Sequence, residues 1–269
     1  FHGPLMLAAL LTPSVATAED HQPWRLQQAL HLPQSLILSG THRTRYETLS
    51  SQFRATRNGS DQVLVTRTTL LAALQRGRFT VGAELMDSRA ALDDVGTPIS
   101  TGIVNSGELL QAYVHLRGED HFSPGSRTDL RIGRITMDVG SRRFVARNRY
   151  RNTINAFTGI DWQLQRAGGS QLRAFFLLPV NRKPNTPAKL RNNDFEFDEQ
   201  DSEVIFWGLH YAATLPSDDH GELLYFGLNE DDSTGRPTRN RKLTTIGVRL
   251  HRKPQLSRLD YQLESALQF

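Results

Sequence analysis

An all-β, antiparallel architecture is what this sequence predicts, and three observations carry the prediction. Apolar and polar side chains alternate with a period of two through segments roughly ten residues long. Turn-forming residues such as Asn58-Gly59, Gly77, Gly118 and Gly168-Gly169 punctuate those segments. Beyond the first residues, no stretch carries a helical period for longer than a turn or two.

The chain begins with an apolar run from Leu5 to Val15, followed by the small residues Ala16 and Ala18 and then Glu19 and Asp20. That order suits an N-terminally truncated signal peptide over residues 1–18, cleaved before Glu19, and hence export. The run is shorter than the roughly 20 apolar residues of a spanning helix. Residues 19–35 read as a polar periplasmic linker, and residues 36–269 as the β region. About eleven strands are expected there, near residues 36–47, 62–75, 78–89, 107–117, 128–138, 157–166, 171–180, 203–213, 221–229, 242–252 and 258–269. Within them Leu64, Thr66, Thr68, Leu70, Ala72 and Leu74 oppose Val65, Arg67 and Thr69, and Phe79, Val81, Ala83 and Leu85 oppose Thr80, Gly82, Glu84 and Met86. Ile205, Trp207, Leu209 and Tyr211 oppose Gly208 and His210 in the same way.

Links between the strands alternate short and long, the long ones being residues 90–106, 138–156 and 181–200. Short turns on one rim and long loops on the other is the layout of a transmembrane β-barrel. A soluble β-sandwich also alternates, but its strands average about five or six residues, whereas about ten residues fit a tilted crossing of a bilayer. The polar parity, with Arg43, Arg45, Glu47, Arg67, Glu84, Gln111, His115 and Arg173, would then face a wet lumen. A mean hydropathy of −0.45 excludes a helical membrane protein and leaves a barrel open.

The cations are unevenly placed. Lysine appears only at Lys183, Lys189, Lys242 and Lys253 among 32 basic residues, so arginine supplies the remaining 28. Codon usage in a GC-rich genome would give the same bias, but the clustering is more specific. Arg142, Arg143, Arg147, Arg149 and Arg151 sit in a single connection, with Asn148, Asn152 and Asn155 among them. Planar guanidinium groups grip carboxylates two oxygens at a time, so the segment suits an anion.

The run GRITMDVGSRRFVARNRYRNTINAFTGIDW from Gly133 to Trp162, with GAELMDSR at Gly82 to Arg89 and LLQAY at Leu109 to Tyr113, resembles the alginate export porin family. The shared order is a strand, Gly-Arg, a second Gly, an arginine-rich connection, Arg-Asn-Thr, and Phe-x-Gly opening the next strand. The likeness runs from about Thr41 to Phe269 and is most specific from Arg134 to Gly159. It implies an outer-membrane antiparallel β-barrel of about eighteen strands, with an arginine-lined constriction that passes anionic polyuronate. Eleven is an odd number where single-chain bacterial barrels are even, which makes this chain a fragment lacking closing strands. The shared parity of Tyr261, Leu263, Leu267 and Phe269 argues instead for a small complete barrel of about ten or twelve strands.

On this reading the substrate path is lined by Arg43, Arg45, Arg67, Arg131, Arg142, Arg143, Arg147, Arg149 and Arg151, with Arg89 and Asn152 beside them. Glu84, Asp87, Asp93 and Asp94 would orient some of these arginines. Arg134 belongs to the lumen if Gly133 marks a bulge, since an arginine facing lipid near the midplane costs about 2–4 kcal/mol. No catalytic set, metal spacing or phosphate-cradling loop is present, so no enzyme and no cofactor is expected. The acidic run Asp198, Glu199, Asp201 and Glu203 reads as a solvated loop before a calcium site. Expected partners are outer-membrane lipid, an anionic polysaccharide or small anions, and the barrel-assembly machinery, with no nucleic acid and a monomeric state. A general or substrate-selective anion porin is the alternative, and a soluble periplasmic sugar-binding β domain a more distant one.

Overall fold

A computed structural model describes residues 26–50, 61–94, 96–216, 218–232 and 238–269. The signal peptide expected over residues 1–18, residues 19–25 of the linker and the turn expected at Asn58-Gly59 lie outside the described residues. Among the described residues helix is limited to α1 (Leu26–Ala29) and α2 (Pro187–Arg191). The strands are β1 (Leu36–Leu49), β2 (Asp61–Arg76), β3 (Phe79–Ala91), β4 (Asn105–Glu119), β5 (Arg127–Ile135), β6 (Phe157–Gln165), β7 (Gln171–Asn181), β8 (Glu199–Gln200), β9 (Val204–Thr214), β10 (His220–Glu230), β11 (Lys242–Arg252) and β12 (Tyr261–Gln268). All belong to one 12-stranded antiparallel sheet in chain order, except that the two-residue β8 pairs off the path with β7.

Eleven long strands therefore match the expected number, with boundaries moved by up to three residues, the largest shifts at the end of β5 and the start of β12. β5 stops at Ile135 rather than continuing to residue 138, because Met137 and Val139 leave the ladder and bury themselves against Phe175, Leu177 and Phe226. The sheet is not closed, and among the described residues no ladder joins β1 to β12. Along an alternating path of eleven strands the first and last run the same way. An antiparallel ladder between them is thus excluded by direction.

Register assigns the faces. β1 and β2 align Arg43 with Arg67, and β2 and β3 align Leu70 with Leu85, so cations share one face and leucines the other. The apolar parity is left bare along the sheet, with Val81 57%, Leu85 52%, Phe176 54%, Leu223 55% and Leu263 65% exposed. An apolar surface of that extent suits contact with lipid rather than water.

The opposite face is covered from within. Residues 136–156, the connection between β5 and β6, lie across it and bring their own apolar groups. Val139 and Val145 join Phe175, Leu177 and Phe226, while Ile154 and Ala156 join Met86 and Leu110. Phe175, Phe206 and Phe226 pack in tilted and edge-to-face pairs with ring centroids 5.0, 5.5 and 5.8 Å apart. Each such side chain removed from water contributes about 1.5–3 kcal/mol, enough to order a segment rich in charge. Long connections emerge at the rim holding the ends of β1, β3, β5 and β7, and short turns such as Gly77-Arg78 and residues 166–170 at the other, as the spacing predicts.

Candidate functional site

β1 and β2 supply three guanidinium groups to the covered face because Arg43, Arg45 and Arg67 share one parity across the ladder. Each is turned toward the main chain of the connection. Arg43 donates from Nη1 to the carbonyl oxygen of Arg149 at 2.9 Å and from Nη2 to that of Arg151 at 2.7 Å. Arg45 donates to the Tyr150 carbonyl at 3.0 Å, and Arg67 to the Arg151 carbonyl at 2.9 Å. Arg45 also pairs with Glu47. The acceptors for Arg43 and Arg67 are neutral carbonyl oxygens reached by Nη atoms, so these bonds leave the positive charge unneutralised, and the Nε of each is buried without an acceptor among the described residues.

Next to them, Glu84 on β3 receives Arg147 Nη2 at 2.6 Å. Gln111 on β4 donates to the same carboxylate and accepts from the Thr136 backbone N–H at 2.9 Å. The Arg147 backbone N–H donates to Asp138 Oδ1 at 2.8 Å, closing the connection on itself. A bulge in β4, where register shifts between Glu84 and Leu85, places both Leu110 and Gln111 among the buried residues. Asn152 is buried, its Nδ2 donating to the carbonyls of Thr66 at 2.9 Å and Ile103 at 2.8 Å, while Ser88 Oγ donates to its carbonyl at 2.8 Å.

A second ionic knot lies deeper in the sheet. Asp161 on β6 is fully buried and bridges Arg131 on β5 and Arg173 on β7, each at 2.6 Å. Arg173 also donates from Nη1 to the Asp138 carbonyl at 2.6 Å, tying this knot to the connection. Two cavities of about 380 and 360 Å³ flank the connection and share Gln111, Arg147 and Arg149 as walls. Arg149 is 71% exposed, with only a loose contact of 3.6 Å to Asp138, and Arg151 and Arg142 are exposed as well.

The far tip of the connection reaches the last strands. Arg143 Nε lies 3.0 Å from Glu264 Oε2 on β12, and Ser141 Oγ donates to Glu264 Oε1 at 2.7 Å. Gly140 adopts a left-handed φ of 52° directly over Glu222 and His210. A Cβ there would stand 2.8 Å from Glu222 Oε2 and 3.2 Å from His210 Nε2. The left-handed φ favours glycine, and a side chain there would also require Glu222 and His210 to shift.

Of the residues singled out from sequence, Arg43, Arg45, Arg67, Glu84, Arg131, Arg147, Arg149, Arg151 and Asn152 gather on or against this face, and Arg142 and Arg143 sit at its far end. Five others do not join them. Asp87 and Arg89 have the parity of Val81 and Leu85 near the end of β3, and pair with each other at 2.9 Å on the opposite face. Arg134 aligns with Ala112 and Thr158 and is taken up by a separate cluster of Glu108 and the Leu109 and Asp198 carbonyls, so the bulge argument does not bring it to the inner set. Asp93 pairs with Arg191 and Asp94 accepts from Gln62, so neither orients an inner arginine. Asp138, Asp161, Glu222 and Glu264 were not anticipated. Period-two parity marks Asp161 as inward opposite Arg131, whereas the contacts of Glu222 and Glu264 with the tip join residues far apart in sequence.

Asp198, from the acidic run, sits between α2 and β8, outside the long strands. Its carboxylate accepts from Asn105 Nδ2 at 2.9 Å and from the Lys183 backbone N–H at 2.7 Å. Burial, reinforced by the nearby Glu108, nonetheless pushes its pKa up to about 6. Because the folded loop holds a proton that the unfolded chain has already released, stability of this loop falls as pH rises from about 4 to about 6 and is flat above. Hydrogen exchange of amides 183–198 is expected to slow as pH drops through 6, after correction for intrinsic rates. In Asp198→Asn this dependence is expected to vanish.

Among known proteins, a family model described as alginate export matches residues 34–269. No curated protein and no solved structure matches the chain.

Proposed function

Given that the chain belongs to the alginate export family, we propose that it forms an outer-membrane channel whose arginine-bearing inner face carries an anionic polysaccharide of the polyuronate type. The family is one of outer-membrane transporters, and the single antiparallel sheet with almost no helix agrees with it. The observation that supports the finer reading is guanidinium charge that carboxylates leave unpaired or only loosely paired. Arg43 and Arg67 donate to carbonyl oxygens, Arg149 has only a 3.6 Å contact to Asp138, and Arg151 is exposed.

A polyuronate bears a carboxylate on every sugar, and a confined path must replace the hydration each one loses. Fixed guanidinium groups do so by two-pronged hydrogen bonds. Because the exposed arginines sit on a segment already fastened by its main chain, they meet the polymer without having to be ordered first. Acids at Glu84, Asp138 and Asp161 keep the remaining arginines in place. Export through a cleaved signal over residues 1–18, insertion by the barrel-assembly machinery and action as a monomer complete the reading.

The test is planar-bilayer conductance of the full chain in a KCl gradient, with and without added polyuronate. A reversal potential on the chloride side and interruption of current by polyuronate are expected. Potassium preference, or current indifferent to the polymer, would sink the reading. Block by polyuronate no stronger than by small anions of equal charge favours a general anion porin instead.

A further inference from the structure

Resting on that channel reading, we propose that Tyr150 is a stacking platform for a sugar ring and that Arg149-Tyr150-Arg151 forms one uronate-binding unit, with the aromatic reading the pyranose and the arginines its charge. Tyr150 is 81% exposed although the segment around it is firmly held. The carbonyl oxygens of all three residues are drawn down onto Arg43, Arg45 and Arg67, at 2.9 Å for Arg149, 3.0 Å for Tyr150 and 2.7 Å for Arg151. With the backbone pinned in this way, the Tyr150 ring stands against the Arg45 guanidinium of β1, and its chain neighbours Arg149 and Arg151 are exposed as well.

An aromatic ring left in water needs a reason, since burying it would contribute about 1.5–3 kcal/mol. The Arg45 guanidinium stands 5.3 Å from the ring centroid, a cation–π contact that steadies the ring yet leaves most of it bare. A flat, rigid face with one polar tip and little conformational freedom to lose is well suited to the C–H face of a pyranose. A uronate presents that face together with a carboxylate, so one sugar meets Tyr150 and a neighbouring arginine at once. A small inorganic anion uses the arginines alone. The unit therefore distinguishes a sugar acid from mere negative charge.

The experiment records single-channel block of the full chain by a defined hexauronate and, separately, by an acrylate oligomer of the same charge. Expected for Tyr150→Ala is a hexauronate dwell time shortened about fivefold, with the acrylate dwell time unchanged. Tyr150→Trp is expected to hold hexauronate at least as long as the parent, and Tyr150→Phe nearly as long. Equal dwell times for hexauronate in the parent and Tyr150→Ala overturn the platform. An equal loss for both polymers overturns it too, since it marks a disturbed connection rather than a lost ring contact. If the parent shows no chloride preference and no block by either polymer, it is the channel reading that fails, and the two failures are told apart.

Discussion

Changing Arg142, Arg149 and Arg151 to glutamine in one chain is expected to lower the preference for chloride over potassium by about fivefold. A charge about 10 Å from the ion path in a water-like medium contributes about 0.4 kcal/mol unscreened and about 0.15 kcal/mol at 0.1 M salt; it favours chloride and opposes potassium by the same amount, so three shift the ratio by about 0.9 kcal/mol, close to fivefold. These three are chosen because their side chains are exposed. The connection is held by the carbonyl oxygens of residues 149 and 151, which glutamine keeps. Neutralising Arg147 instead would leave the buried Glu84 carboxylate without its partner at 2.6 Å, mixing loss of charge with movement of the connection. Reversal potentials measured in a salt gradient check the result. An unchanged ratio would mean that ions pass elsewhere.

Asp161→Ala is expected to destabilise the protein by about 3–5 kcal/mol, because it leaves the guanidinium groups of Arg131 and Arg173 facing each other across β6 with no anion between them. Arg173 is itself buried and its second contact is the Asp138 carbonyl, so the damage also reaches the connection. Urea unfolding in phospholipid vesicles, followed by gel migration before and after heating, measures it. Asp161→Asn keeps the shape and one acceptor and is expected to lose less. A loss below about 1 kcal/mol for the alanine variant would show the knot to be replaceable.

Most of the fold was legible because period-two alternation is a local signal. The parity of Leu64 to Leu74 against Val65 to Thr69, and of Phe79 to Leu85 against Gly82 and Glu84, is the division of faces in the sheet. The arginine-rich connection was legible from composition as a site. Its path was not, since nothing local says that a stretch between two strands returns inside the sheet and touches β1 and β12. Asp87 and Arg89 share the parity of Val81 and Leu85, so the same local signal places them on the outward face near the end of β3. Arg134 depended on one glycine, and Gly133 does carry an unusual φ of 123°, but the neighbours that claim the arginine come from β4 and from the loop before β8. Glu264 on β12 is remote from its partner Arg143 in sequence, and no spacing rule reaches that far.

The way the connection is fastened separates its position from its electrostatics. Guanidinium-to-carbonyl hydrogen bonds are short-range, whereas the pull of Arg149 and Arg151 on a passing anion fades over about 10 Å at 0.1 M ionic strength and about 3 Å at 1 M. Seawater-like brine would therefore mute the discrimination between ions while leaving the aperture the same width, so that conductance scaled to bulk electrolyte would stay level as selectivity declined.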